Sequence, residues 1–286
     1  MPTDPFPPLL LTAPLMKVLF LGYGNMGRAL GEAWRDSGRV QTLLAIDPAP
    51  LPEGAAPVPG RHASVQSLQS AGDAAGGVDL VVVAVKPAMA ADALRALPAD
   101  WLAQAVVVSV AAGVTVATLE AALPLGTPVI RVMPNTPAML RAGCTGLYAA
   151  PGVDEARREQ VGALFATVGS AHWVDQESHI DLVTAISGSG PAYYHLFSEA
   201  LAQAGLALGL SPELARALAA DTAWGAAALQ HQPDADFAAL RRAVTSPNGT
   251  TAAAIAVFEE GEALRVLVKK AAEAAHRRAV ELSAGG

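Results

Sequence analysis

The sequence predicts an α/β domain built on a parallel sheet, followed by a domain made of helices. Two observations support this order. Short apolar runs rich in valine, leucine and isoleucine alternate with helical patterns through about the first 175 residues, and the remaining sequence shows only helical patterns. Buried strands that alternate with helices form parallel sheets with right-handed crossovers. The change of composition near residue 175 therefore marks the predicted domain boundary.

The strands of the first domain are predicted from short apolar segments. In chain order they are KVLFLG, TLLAID, DLVVVAV, AVVVSV and TPVIRVM, at residues 17–22, 42–47, 79–85, 105–110 and 127–133. A helical segment, MGRALGEAWRDSG, lies between the first two. The uncharged run from Trp101 to Leu119 is long enough for a membrane span, but its polar residues and its valine-rich centre favour a buried strand and the turn after it.

The helices of the second domain are predicted over 177–187, 191–208, 212–230, 236–244, 250–259 and 262–282. One of them has a clear start, because Ser211 can cap the helix and Pro212 suits its first position. At the other end of the chain, residues 1–15 lack the basic start of a secretory signal and are broken by prolines, so we expect a flexible extension there.

Composition excludes several classes of protein. The 286 residues carry a net charge of −7 and only four lysines, without a basic run, which argues against a nucleic-acid partner. Cys144 is the single cysteine, so an intrachain disulfide and a cysteine metal cluster are excluded, and a reducing cytoplasm suits the chain. The six histidines show no metal-ligand spacing, and no metal site or membrane partner is predicted.

A glycine motif follows the first predicted strand and opens the first helix. It has the form G-x-G-x-x-G and consists of Gly22, Tyr23, Gly24, Asn25, Met26 and Gly27. In this context the first glycine allows a tight turn, the second lets the backbone approach a pyrophosphate, and the third lets helix and strand pack closely. The motif therefore predicts a dinucleotide site on a Rossmann-type domain.

Two charged residues stand at the ends of predicted strands. Asp47 lies 20 residues after Gly27, where an acid accepts hydrogen bonds from the ribose 2′-hydroxyl of NAD and repels a 2′-phosphate, so it favours NADH. Alternatively, Asp47 only begins the loop after the second strand. Lys86 lies in the segment AVKP, where it faces the cofactor crevice or is simply solvated at a strand end.

The segment VTSPNGTT carries the candidate substrate site. Ser246 to Gly249 is predicted to form a turn, and a helix begins near Thr250. The first N–H groups of a helix lack intrahelical partners, and the helix dipole favours an anion beside them. The segment is thus either a carboxylate site or an ordinary helix start.

Six segments in order resemble the pyrroline-5-carboxylate reductase family: GYGNMG, AVKP, SVAAGVT, RVMPNTPA, ISGSGPAY and VTSPNGTT, within about Met16 to Leu282. The resemblance implies a Rossmann domain over 16–175 and a helical dimerisation and substrate domain over 176–286. It also implies hydride transfer from NADPH or NADH to the C=N carbon of 1-pyrroline-5-carboxylate, a cyclic imino acid. The product is L-proline, and the expected assembly is a cytoplasmic homodimer or larger homo-oligomer.

The resemblance also implies the site residues. Those expected to contact the cofactor are Gly22 to Gly27, Ala84, Val85, Lys86, Pro87, Val110, Ala111 and Ala112. Those expected to bind substrate are Glu177, Ser246, Gly249, Thr250 and Thr251, with Thr251 as the catalytic candidate at the ring nitrogen. Glu177 could instead be a solvated acid in the first turn of its helix.

The sequence departs from the family at two positions. Asn248 stands where the family usually has glycine, and asparagine tolerates the left-handed conformation that the turn requires. Many members that favour NADPH lack an acid like Asp47, so the usual preference is in question.

Two other kinds of protein share part of this pattern. A β-hydroxyacid dehydrogenase also joins a Rossmann domain to a helical domain, but it needs a lysine in the helix after its glycine motif, and no lysine lies between Lys86 and Lys269. A dinucleotide-sensing protein without catalysis would have a degraded substrate turn, whereas Thr250 and Thr251 are both present.

Overall fold

The structure, a computed structural model, describes residues 15–47, the strand at 62–65 and residues 77–285. The predicted extension therefore lies outside the described residues, apart from Leu15. The described strands form one sheet in the order β3-β2-β1-β4-β5-β6-β7-β8. Their bounds are β1 Met16–Leu21, β2 Val40–Ile46, β3 His62–Val65, β4 Leu80–Val83, β5 Val106–Ser109, β6 Val129–Met133, β7 Gly143–Ala149 and β8 Gly169–Trp173.

Strands β1 to β6 run parallel, while β7 runs antiparallel to β6 and β8 runs parallel to β7. The chain first builds outward from β1 through β2 to β3, and then returns to the other side of β1 with β4. Ligands of such sheets bind where the strand order reverses, at the carboxyl ends of the strands. All five predicted strands are confirmed, and by this rule the expected ligand crevice lies beside the carboxyl ends of β1 and β4.

Strands β3, β7 and β8 were not predicted from the sequence. Strand β7 has the sequence GCTGLYA, whose glycines interrupt the apolar pattern. Gly146 is needed there because a methyl group at its position would lie 2.7 Å from the side chain of Val183 on a packed helix. Strand β8, GSAHW, is only partly buried and carries no apolar run.

The bounds of the helices are α1 Asn25–Asp36, α2 Ala90–Arg95, α3 Ala99–Leu102, α4 Val116–Glu120, α5 Glu155–Phe165, α6 His179–Val183, α7 Gly190–Ala207, α8 Pro212–Gln230, α9 Phe237–Ala243, α10 Thr250–Glu259 and α11 Ala263–Ala284. The predicted helices, α1 and α6 to α11, begin close to their predicted positions, whereas α2 to α5 were not predicted. A π-helical turn, Thr184–Gly188, follows α6 directly. None of these described helices is long and apolar enough to cross a membrane.

The residues of the strands alternate between two apolar cores. Leu19, Val81 and Val107 belong to the core on one face of the sheet. Phe20 and Val82 belong to the core on the other face. Because both faces are covered, the strands are apolar at almost every position, which is why their segments were recognisable in the sequence.

Contacts between residues divide the chain into two compact units. The first runs to Gly188 and includes the residues from His276 onward, and the second is Ser189–Ala275. The first division lies later than the boundary predicted near residue 175, because α6 packs against β6 and β7. The last turns of α11, from His276 onward, belong to the same unit as the sheet.

Candidate active site

The glycine loop between β1 and α1 has the geometry that dinucleotide binding requires. Gly22 has a φ of +87°, and a methyl group there would lie 2.8 Å from the carbonyl group of Ala84. At Gly27 a methyl group would lie 2.7 Å from the carbonyl oxygen of Gly22, so this glycine allows the close helix–strand approach. At Gly24, by contrast, a methyl group would meet no atom of the described residues within 4 Å, its chain neighbours aside. The described part of the chain thus leaves the space beside Gly24 open, as the approach of a pyrophosphate demands.

Helix α1 begins without a side-chain cap. Gly24 is its N-cap residue, and the first intrahelical bond runs from the Arg28 N–H to the Gly24 carbonyl at 2.9 Å. Gly24 and Asn25 are exposed, whereas Met26 packs against the apolar core. The uncapped N–H groups can therefore receive an anion at this end of the helix.

Asp47 lies against the glycine loop. The Tyr23 N–H donates to its Oδ2 atom at 2.6 Å. The Tyr23 ring packs edge-on against Phe20, with the ring centroids 5.3 Å apart. Burial raises the pKa of the Tyr23 hydroxyl to about 12, so this side chain is neutral at physiological pH. Asp47 is thus held against the glycine loop, and both its contact with the ribose and its effect on cofactor preference stay predictions.

Two further predicted cofactor segments follow the neighbouring strands. The Ala84 N–H donates to the Leu21 carbonyl at 2.8 Å, which holds the segment 84–87 beside the glycine loop. The Val110 N–H donates to the Val83 carbonyl at 3.0 Å. Because β1, β4 and β5 are adjacent, their three following segments lie along one edge of the sheet. Lys86 is exposed there, which leaves both of its interpretations open.

Glu177 is bound by groups of the first unit. Its Oε1 atom accepts hydrogen bonds from the Val116 N–H at 2.7 Å and from Arg131 Nη1 at 3.1 Å. Arg131 also pairs with Asp181, with 3.1 Å between Nη2 and Oδ1. Its side chain is only 3% exposed. Glu177 is therefore a partner of a buried arginine, and its contact with substrate stays a prediction.

Sequence reasoning missed Arg131 and Asp181. One signal was available, since Arg131 interrupts the apolar strand segment TPVIRVM. A buried arginine needs carboxylate partners, because an unpaired buried charge is strongly destabilising. The sequence did not say which carboxylates these are.

The turn before α10 has the predicted shape. Asn248 adopts the left-handed conformation, with a φ of +60°. The Gly249 N–H donates to the Ser246 carbonyl at 3.1 Å, so this N–H group is already used within the turn. Gly249 is the N-cap residue and no side chain caps the helix. The N–H groups of Thr250 and Thr251 consequently have no partner among the described residues.

The fold and the crevice define the class of the protein, an NAD(P)-binding protein with a Rossmann domain. A family model described as pyrroline-5-carboxylate reductase dimerisation matches residues 177–282. A model described as NADP oxidoreductase, coenzyme F420-dependent, matches residues 17–113. The pyrroline-5-carboxylate reductase of Pseudomonas aeruginosa is 43% identical over 268 residues, which cover 93% of this chain and 97% of the relative. The chain belongs to the pyrroline-5-carboxylate reductase family.

Other relatives and solved structures agree. The pyrroline-5-carboxylate reductase of Mycobacterium tuberculosis (strain H37Rv) is 40% identical, with 94% of this chain and 97% of the relative covered. A solved structure of the enzyme from Coxiella burnetii superposes with a TM-score of 0.84 at 36% identity, covering 94% of this chain and 99% of that one. The Plasmodium falciparum enzyme, solved with NADP bound, superposes with a TM-score of 0.79 at 28% identity and covers 94% and 98% of the two chains.

Proposed function

We propose that this reductase binds its cofactor at the glycine loop of the first unit and its substrate carboxylate at the turn before α10. The enzyme reduces 1-pyrroline-5-carboxylate to L-proline with NADPH or NADH, the last step of proline biosynthesis. The observation that carries the assignment of the substrate site is the uncapped start of α10, where the N–H groups of Thr250 and Thr251 follow the exposed Ser246 hydroxyl.

The residues at the glycine loop fit a dinucleotide. The open space at Gly24 and the uncapped start of α1 accommodate the pyrophosphate, and Asp47 takes the ribose. The segments 84–87 and 110–112 complete the crevice. NADH or NADPH supplies the hydride when bound.

At the substrate turn, each group has a separate role in the proposal. The N–H groups of Thr250 and Thr251 and the Ser246 hydroxyl bind the carboxylate. Gly249 keeps the turn tight, since a methyl group there would lie 2.5 Å from Ser246 Oγ. The Thr251 hydroxyl orients the ring nitrogen, whose positive charge disappears as the imine carbon accepts hydride. A threonine hydroxyl is a poor acid, so water supplies the protons that the nitrogen needs.

A steady-state assay tests the activity directly. Purified protein should oxidise NADH or NADPH only when 1-pyrroline-5-carboxylate is present, with L-proline as the product. The progress of cofactor oxidation is read from its absorbance, and proline is measured separately. Protein that is folded by circular dichroism and oxidises neither cofactor would contradict the assignment.

We expect Asp47 to favour NADH, because its carboxylate repels a 2′-phosphate. Asp47→Asn keeps an oxygen for the Tyr23 N–H and removes the charge, so it should improve use of NADPH relative to NADH without loosening the loop. The measurement is kcat/KM for each cofactor. Asp92→Asn, an exposed aspartate on α2, is the control. A wild type that already prefers NADPH tenfold, about 1.4 kcal/mol, would contradict this role of Asp47.

We infer that the second unit forms a homodimer or larger homo-oligomer. It exposes large apolar side chains, among them Leu196, Leu218, Trp224 and Val257, which are 66%, 50%, 76% and 68% exposed in the isolated chain. Exposed apolar area on this scale marks an interaction surface. Light scattering at assay concentration should give at least twice the mass of the chain. An active monomer would rule out an obligate dimer.

The proposed location is the cytoplasm, where thiols stay reduced and a chain with the lone Cys144 needs no disulfide. The substrate is a small anionic imino acid. The net charge of −7 and the scarcity of lysine offer nothing for a nucleic-acid partner to bind.

A further inference from the structure

The last turn of α11 is bonded to the buried Arg131. Ser283 Oγ accepts a hydrogen bond from Arg131 Nη2 at 2.9 Å and donates one to Asp181 Oδ1 at 2.8 Å. Asp181 is itself the carboxylate that pairs with this guanidinium group. The hydroxyl thus closes a ring of three polar groups, and it comes from a residue 152 positions away from Arg131 in the sequence.

The same turn of α11 touches the loop between β5 and α4. A methyl group at Gly113 would lie 2.8 Å from Leu282 Cβ and 3.1 Å from the Leu282 carbonyl carbon. The backbone of the loop is therefore in direct contact with the end of the helix. Gly113 follows Val110, Ala111 and Ala112 immediately, and these are the loop residues assigned to the cofactor.

Arg131 also reaches the far end of this loop. Its Nη1 group donates a hydrogen bond to Glu177 Oε1, and the same oxygen accepts a hydrogen bond from the Val116 N–H. The loop from 110 to 116 is consequently held at Gly113 by Leu282 and at Val116 by Glu177. Both points of attachment are connected to the guanidinium group of Arg131, one through Glu177 and the other through Ser283, the neighbour of Leu282.

Ser283 is the member of this cluster that can be replaced without leaving a buried charge unpaired. Arg131 and Asp181 are nearly buried, with side chains 3% and 10% exposed. Removing either would leave a buried charge unpaired and destabilise the fold as a whole. The Ser283 hydroxyl is neutral, so its loss releases the helix end and leaves the Arg131–Asp181 ion pair in place.

We propose that the last turn of α11, residues 280–284, positions the cofactor loop, with Ser283 as a positioning residue that acts through Arg131 and Leu282. The inference rests on the proposed role of Val110 to Ala112 in cofactor binding. This turn of α11 then influences the affinity for the dinucleotide, although none of its residues is proposed to touch it.

Direct cofactor binding tests this inference. NADH and NADPH are titrated into the full-length wild type, Ser283→Ala and Ser283→Thr, and binding is followed by nucleotide fluorescence. Ser283→Ala removes both hydrogen bonds of the hydroxyl and should weaken binding about three- to tenfold, because only part of their energy is transmitted to the cofactor loop. Ser283→Thr keeps the hydroxyl and should recover most of the affinity. At saturating cofactor, kcat should change less than about twofold, since the reacting groups are untouched.

Arg278→Ala is the matched control. Arg278 lies one turn earlier on α11, is 67% exposed and pairs with Glu281 on the same helix. Its removal alters the same helix end without reaching Arg131, so cofactor affinity should stay at the wild-type value. A chain that ends at Glu281 removes both Leu282 and Ser283, and it should lose more than about tenfold.

Each contrary result has its own meaning. Wild-type affinity in Ser283→Ala and in the shortened chain would overturn the inference, even if both variants melt at lower temperature. The proposed function would survive that result, because the wild type would still bind the dinucleotide. A wild type that binds neither dinucleotide would instead overturn the cofactor assignment and the inference with it.

Discussion

Gly24→Ala should leave the fold intact and weaken the binding of both NADH and NADPH. Among the described residues, no atom apart from those of its chain neighbours lies within 4 Å of the added methyl group, and the Gly24 φ of −70° suits alanine. The pyrophosphate, however, must approach the backbone at this position to receive its N–H groups. Losing one hydrogen bond to a charged group costs about 1.5–3 kcal/mol, so the dissociation constants should rise roughly ten- to 150-fold.

Gly22→Ala provides the contrast. There the methyl group would lie 2.8 Å from backbone atoms of Ala84 and Val85, and the φ of +87° strains any residue with a Cβ. This variant should therefore lose both thermal stability and cofactor affinity, whereas Gly24→Ala should lose affinity alone. Thermal melting without cofactor and fluorescence titration with each cofactor separate the two cases. If Gly24→Ala binds both cofactors as the wild type does, the pyrophosphate lies elsewhere.

The parts of the fold that could be predicted are those fixed by local pattern. The strand LVVV of β4 is buried on both faces and therefore reads as a continuous apolar run. The start of helix α8 could be predicted from Ser211, which caps the helix: its Oγ accepts a hydrogen bond from the Leu214 N–H at 3.3 Å. Strand β7 gives no such signal, because its glycines are set by the neighbouring Val183 and Ala138 rather than by strand preference.

The site, too, has a part that could be predicted from a local pattern and a part that could not. The glycine loop could be predicted because its three glycines act within six residues of one another. The ring of Arg131, Asp181 and Ser283 could not, because it joins residues 50 and 152 positions apart. Its members are ordinary residues in their own segments, and only the packing of α6 against β6 and the hydrogen bond from Arg131 to the end of α11 give them a common role.

Thr251→Ala should lower kcat, by roughly ten- to 150-fold if its hydrogen bond at the changing charge is worth about 1.5–3 kcal/mol. A donor that acts only as the nitrogen changes charge stabilises the transition state, so kcat and kcat/KM should fall together. Thr251 is half-buried at the second position of α10, and its N–H group remains in the variant. The loss therefore reports on the hydroxyl and leaves the carboxylate site in place.

Thr251→Ala is compared with Ser246→Ala, which tests the carboxylate site, and with Thr245→Ala, which is the control. Ser246 is proposed to hold the carboxylate in ground state and transition state alike, so its loss should mainly raise KM for the imine. Thr245 lies next to it, but its hydroxyl donates to the Arg241 carbonyl at 2.6 Å, and its loss should change neither constant appreciably. All three variants are measured at saturating cofactor after circular dichroism has confirmed the fold.

The pattern of the two constants decides between the roles. If Thr251→Ala keeps the wild-type kcat and raises KM, its hydroxyl belongs to the carboxylate site and water alone serves the nitrogen. If Ser246→Ala changes cofactor affinity and not KM for the imine, the turn lies on the nicotinamide side. The proposal requires three results together: a fall in kcat for Thr251→Ala, a rise in KM for Ser246→Ala, and no change for Thr245→Ala. Only this combination fits a turn whose N–H groups hold the carboxylate while one hydroxyl faces the reacting bond.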